Sequence, residues 1–148
     1  MHIANNNLKV LDKAITFVYN SIEKGEYSLH KIYFYKDKNG NEPVMDYLNE
    51  LAAANDKDSR IKFNKLNDYI QALSVYGLTL REPYIKHLDG DIWELRPSRD
   101  RILFVAWHNG GFVLLHQFMK TTQKTPPREI AKAKRELADI KERGIEYE

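Results

Sequence analysis

The sequence predicts an α+β domain: a small antiparallel β-sheet with helices packed on one face, preceded by an N-terminal helical extension. Three observations lead there. Apolar residues recur at steps of three and four in four separate stretches, the period of an amphipathic helix. Between them lie strand-like segments rich in aromatic and β-branched residues, separated by short turn signals. The order helix, β, α, α, β, β, β, α groups strands and helices in runs instead of alternating them, which favours α+β over a parallel βαβ architecture. With 148 residues and 43% hydrophobic content, the chain supports one ordinary core and therefore one globular domain.

Each element has its own reason. Over 5–24, Leu8, Leu11, Ile15, Val18 and Ile22 form a helical stripe that packs either on its own domain or against a partner chain, and Gly25 ends it. "LHKIYFY" (29–35) reads as a first strand, and Asn39-Gly40 turns the chain. In "EPVMDYLNELAAA", Pro43 sits in the first helical turn, where its missing N–H costs nothing, and Val44, Leu48 and Leu51 mark the buried side. A second helix runs from about Ser59 to Tyr76 with Ile61, Leu66, Tyr69, Ile70 and Leu73 mostly on one side and Gly77 as its stop. "YIKHL", "IWELRPSRDRILFVAW" and "GFVLLHQFM" supply the remaining strands. The last helix is predicted to be capped by Thr125 with Pro126 at its first position, and Ile130, Ala133, Leu137 and Ile140 share a face.

The register of the last hairpin sorts the charge. Asn109-Gly110 is a strong hairpin signal, since a type I′ turn requires positive φ at both central positions. Pairing about it sets Trp107 opposite Phe112, Val105 opposite Leu114, Leu103 opposite His116 and Arg101 opposite Phe118. A turn centred on Ser98-Arg99 sets Arg96 opposite Arg101 and Glu94 opposite Leu103. Because side chains alternate along a strand, one face receives Trp93, Leu95, Ile102, Phe104, Val113 and Leu115, suited to covering helices. The other, expected to stay uncovered, receives Glu94, Arg96, Arg101, His116, Phe118 and Lys120. Two opposed arginines repel, so an anion is wanted between them. Glu94 neutralising one of them is a purely structural answer. Two guanidinium forks, an imidazole, a lysine and an aromatic ring on one face also suit a phosphate and a nucleobase.

Other chemistries find little support. The chain has no cysteine, which rules out disulfides, thiolate metal sites and cysteine nucleophiles. His108 and His116 lack a His-Glu-x-x-His context or a carboxylate cluster, so no metal site is expected. The glycines are isolated turn residues, and no Gly-x-Ser-x-Gly elbow occurs. The net charge of +2 arises from 23 basic and 21 acidic residues, so distribution matters more than the total. Neither a membrane span nor a secretory signal is read in the sequence, and a cytoplasmic location is expected.

"FYKDKNGNEPVMDYLNEL", "KHLDGDIWELRPSRDRILFV" and "LLHQFMKTTQKTPPREIAKA" together resemble the HigB-like branch of the RelE superfamily, bacterial and phage toxins of type II toxin–antitoxin pairs. The likeness spans about Tyr33 to Arg143. It implies a RelE-like fold, with 1–28 as an extension and 29–148 as the toxin domain. It also implies messenger RNA cleavage, generally on the ribosome, inhibition of translation, and a cognate antitoxin that usually carries a helix-turn-helix domain (HigA-like). Carried over residue by residue, Arg96 matches the arginine of the family's "WELR" strand and Arg101 that of its "GRI" strand. His116 and Lys120 match the histidine and first lysine of "LHxFxKK". The second lysine is Thr121 in this chain, and Lys124 is a candidate to supply the missing charge.

The chemistry suits those groups. Attack of a ribose 2′-OH on the adjacent phosphorus, leaving a 2′,3′-cyclic phosphate, needs a base, an acid for the departing 5′-oxygen, and cations for the charge that develops. It requires no cofactor or metal. Arg96 and Arg101 are the candidates for charge stabilisation, His116 for base or acid, and Lys120 for phosphate positioning or leaving-group protonation. Phe118 is placed to stack a base, and Lys86, Arg99 and Lys124 to follow the RNA backbone. Which of His116 and Lys120 is acid and which is base stays open. A second class stays open too: the same face serving a non-catalytic RNA-, ribosome- or protein-binding module.

Overall fold

The computed structural model describes residues 29–144, so the helix expected over 5–24 lies outside the described residues. Strand β1 (Ile32–Phe34) leads to helix α1 (Pro43–Ala53) and helix α2 (Lys57–Tyr76). Strands β2 (Ile85–Asp89), β3 (Ile92–Leu95), β4 (Asp100–Ala106) and β5 (Phe112–Met119) follow, and helix α3 (Pro127–Arg143) closes the chain. The strands form one sheet in the order β1-β5-β4-β3-β2. All neighbours are antiparallel except the short edge strand β1, which runs parallel to β5. The predicted α+β class is the observed one.

Local chemistry accounts for the helix ends. Pro43 opens α1, and Val44, Leu48 and Leu51 are buried as the stripe requires. Helix α2 starts two residues earlier than Ser59 because Asp56 caps it, its side chain accepting from the Ser59 N–H at 2.9 Å. It stops at Gly77, whose φ of 57° suits glycine. Its buried positions are Leu66, Asn67, Ile70 and Leu73, whereas Ile61, read as part of the stripe, is 54% exposed in the first turns.

The sheet is covered on both faces, not one. Helices α1 and α2 bury Phe34, Ile85, Leu95, Ile102, Phe104, Phe112 and Leu114 on the first face. Helix α3 lies on the second, where Ala133 and Ile140 pack with Tyr35, Ile92, Leu103, Val105, Val113 and Leu115. The physical reason is that β4 and β5 are apolar on both sides: Ile102, Leu103, Phe104 and Val105 are all essentially inaccessible, as are Val113 to Leu115, and a single layer of helices hides only alternate residues.

A β-bulge corrects the predicted register. Near Arg101 the pairing is as expected, with Arg101 opposite Phe118 and Leu103 opposite His116. Beyond it Phe104 pairs with Leu114, Val105 with Val113 and Ala106 with Phe112, which leaves Leu115 without a partner on β4. The surplus arises at the connection. His108–Gly110 forms a short 3-10 turn closed by the Trp107 N–H on the Gly111 carbonyl at 2.7 Å, one residue longer than the expected two-residue loop. Asn109 and Gly110 do both take positive φ. One extra residue in β5 restores the pairing, and as a result Val113 and Leu115 face α3 instead of joining Trp93 and Phe104. A second irregularity lies in β2, between His87 and Asp89.

The β3–β4 turn is centred as predicted. Ser98 has φ 59°, and the Asp100 N–H donates to the Pro97 carbonyl at 3.1 Å. Among the described residues, no helix is long and apolar enough to cross a membrane.

Phe104 is fully buried and meets Phe112 edge-on with ring centroids 5.5 Å apart. Phe104→Ala is expected to lower unfolding stability by about 3–5 kcal/mol, read as a shift of the urea midpoint. A shift worth less than about 1 kcal/mol would show that the site collapses around the deletion.

Candidate functional site

Where β3, β4 and β5 end beside the loop that leads into α3, the second sheet face is not covered. There an open cleft of about 240 Å³ is lined by Lys86, Glu94, Arg96, Arg101, Phe118, Lys120 and Lys124, with His87, Leu88, Gln123, Thr125 and Ile130 completing its walls. Alternation brings the strand residues together: Lys86 pairs with Glu94, Glu94 with Leu103, and Arg101 with Phe118, so these side chains share the α3 face. Arg99 lies beyond Arg101 and Lys120, in an adjoining groove with Ser98, Thr121, Thr122 and Gln123. Six of the eight residues assigned to the site from sequence thus line one cleft, and a seventh lines its neighbour.

Helix α3 starts at Pro127 with Pro126 as its cap residue, not at Pro126 behind a Thr125 cap. The Thr125 hydroxyl donates to Glu94 Oε2 at 2.6 Å instead. A carboxylate acceptor outcompetes a capping role in which one of the nearby groups, a proline nitrogen, has no hydrogen to give. The anion wanted between the two arginines is therefore part of the protein. Glu94 Oε1 lies 3.3 Å from Arg96 Nε and 3.7 Å from Arg101 Nε. Arg101 Nη1 donates to the carbonyls of Ser98 and Asp100, each at 2.8 Å. Burial presses the Arg101 guanidinium below its ordinary pKa, with the Glu94 charge opposing the shift. An arginine so placed stays charged at working pH.

Asp100 anchors the same turn from the other side of the sheet. Its Oδ1 accepts from the Tyr47 hydroxyl and from Gln117 Nε2, each at 2.9 Å, and Lys62 lies 3.9 Å from Oδ2. The Lys120 N–H donates to the Arg99 carbonyl at 2.8 Å, tying the end of β5 to the turn.

His116 is not in the cleft. Its side chain is 1% exposed and lies under α3, with Nδ1 2.5 Å from Glu136 Oε1 and Nε2 3.0 Å from Glu129 Oε1. A ring carrying both protons donates to both carboxylates; a neutral ring has only one N–H to give. The sequence reading missed Glu129 and Glu136, yet a signal was present: both lie on the stripe of Ala133 and Ile140, where a carboxylate needs a buried partner. Among the described residues, no group of three or more His, Cys, Asp or Glu is placed to hold a metal ion.

A five-stranded, mostly antiparallel sheet between a helical hairpin and a C-terminal helix, with a basic cleft at one end, has the RelE-like architecture. The family model described as Phage derived protein Gp49-like (DUF891) matches residues 47–138. The match spans more than half of the chain, from α1 into α3, and the protein belongs to that family, a group of RelE/ParE-like toxins of toxin–antitoxin systems. Such a family implies a cognate antitoxin. No significant match was found among curated proteins.

His116→Ala would leave Glu129 and Glu136 under the helix without their shared imidazole partner. Loss of one partner from a buried pair is expected to lower stability by roughly 3 kcal/mol, seen in chemical denaturation near neutral pH. An unchanged midpoint would mean that these contacts do not hold α3 down.

Proposed function

We propose that the protein is a HigB-like toxin, an endoribonuclease that cuts messenger RNA on the ribosome and thereby inhibits translation in the cytoplasm of a bacterial host. The observation that carries the reading is the cleft itself: Arg96, Arg101, Lys86, Lys120 and Lys124 around the Phe118 ring. Cations at the back of a partly dry groove favour a phosphate whose charge grows in the transition state, and an aromatic wall favours an unstacked base. In this reading Arg96 and Arg101 stabilise the phosphorane charge, Phe118 stacks a base, and Lys86, Arg99 and Lys124 follow the backbone. The partner that silences it is a helix-turn-helix, HigA-like antitoxin.

Proton transfer is assigned to Lys120 and His116. Lys120 lines the cleft, and of these two groups one takes the 2′-OH proton while the other protonates the departing 5′-oxygen. His116 reaches substrate through Nε2 once Glu129 releases it, this being the longer of the two carboxylate contacts and Glu129 the more exposed partner, at 17% against 9% for Glu136. Until then it is a positioning residue that fastens α3 over the sheet.

The enclosed His116 ring also favours a second reading, a module that holds RNA or the ribosome in the same cleft without cutting. Product chemistry separates the two. Cleavage yields 2′,3′-cyclic phosphate ends on translated messenger RNA, whereas binding leaves the RNA intact. Arg96→Ala or Arg101→Ala is expected to reduce cleavage by about 10²-fold or more, measured with purified variants in a translation-coupled assay. Cleavage at the wild-type rate by both variants would exclude this cleft as the active site.

RNA or ribosome affinity is expected to fall steeply with added salt, because each phosphate contact releases counterions. Titration at several ionic strengths measures the slope. A flat response would point to a partner recognised through apolar surface.

A further inference from the structure

A buried carboxylate is out of place in a cleft that receives a polyanion. Glu94 is 1% exposed, and in a region of low dielectric its charge opposes any phosphate that arrives beside it. A neutral residue would favour affinity. What Glu94 does is geometric: it meets both arginines at Nε, and through Oε2 it holds the Thr125 hydroxyl. The terminal Nη atoms are then the ones left to face a ligand, apart from Arg101 Nη1, which the Ser98 and Asp100 carbonyls retain, and Arg96 Nη1, which lies 3.9 Å from Glu82 Oε1 on the exposed side. Thr125 follows directly on Lys124, so the same carboxylate sets the position of the loop that carries Lys120 and Lys124.

The contact with Arg96 is electrostatic and not locked. Although the two atoms are 3.3 Å apart, neither Glu94 Oε1 nor Arg96 Nε completes a hydrogen bond. A guanidinium held by charge alone turns towards an incoming phosphate at lower cost than one fixed by a directional bond.

We propose that Glu94 is a positioning residue that orients Arg96 and Arg101 and, through Thr125, the lysine-bearing loop, at the expense of affinity for RNA. The inference rests on the endoribonuclease reading. It differs from a structural role in one respect: binding and turnover move in opposite directions when the charge is removed.

Glu94→Gln keeps the shape and an acceptor oxygen for Thr125 while removing the charge. In the full chain it is expected to bind an oligoribonucleotide blocked by 2′-deoxy substitution several-fold more tightly at low salt. Single-turnover cleavage of translated messenger RNA should slow by about tenfold or more. The Nε–Hε resonances of Arg96 and Arg101, assigned by comparison with the single arginine variants, should shift. Thr125→Val tests the same tie with a smaller change: cleavage should slow with no gain in affinity. If wild type leaves RNA intact while Glu94→Gln binds more tightly and both resonances shift, the endoribonuclease reading fails and the positioning role stands. If wild type cleaves and Glu94→Gln matches its rate, the positioning role fails. Should Glu94→Gln not fold, Thr125→Val decides: a wild-type rate overturns the proposal, and a slower rate at unchanged thermal stability supports it.

Discussion

Strand β5 carries one residue more than β4 can pair, and the arrangement of the second layer depends on where that surplus is absorbed. The bulge at Leu115 turns Leu115 and His116 towards α3 while Leu114 stays with the first core. Helix α3 thereby gains both an apolar seat and a buried polar contact. Pairing on the Arg101 side of the bulge is undisturbed, so the cleft is built on regular sheet next to an irregular one. Had the surplus been placed nearer Phe118, alternation would have turned His116 away from α3 and onto the first face.

Two of the buried polar centres join the sheet to the segment that follows it. One is His116 between Glu129 and Glu136; the other is Glu94 between two arginines and Thr125. Each lies close to the boundary between a dry core and the open groove. Burial of such groups seldom adds stability compared with an apolar packing of the same shape, but it fixes one geometry by penalising the alternatives. That is the property the proposed catalytic surface needs more than extra stability.

Much of this was legible in the sequence. Periodicity located all three described helices, and turn chemistry located the β3–β4 and β4–β5 hairpins. Alternation brought Glu94, Arg101, His116 and Phe118 to one face because all four lie on the side of the bulge where the pairing is regular. The bulge itself was not legible, since Asn109-Gly110 serves a three-residue turn as readily as a two-residue one. Two-sided covering was missed although the run Ile102 to Val105 signals it; alternating polar residues elsewhere in the sheet outweighed that run. Thr125 has the side chain of a cap, and only the position of Glu94 in space shows that it has another acceptor. His116 was assigned to the correct face, but its exposure depended on α3, whose docking site no local pattern specifies.

The strand at the far edge of the sheet has a consequence of a different kind. β2 leaves one row of backbone groups without a neighbouring strand among the described residues, and such an edge invites the chain of another molecule to continue the ladder. Lys86 and Asp89 carry charge along it, and the irregularity between His87 and Asp89 breaks its hydrogen-bonding rhythm after three paired positions. Lys86 thus discourages pairing along this edge and at the same time lines the cleft beside it.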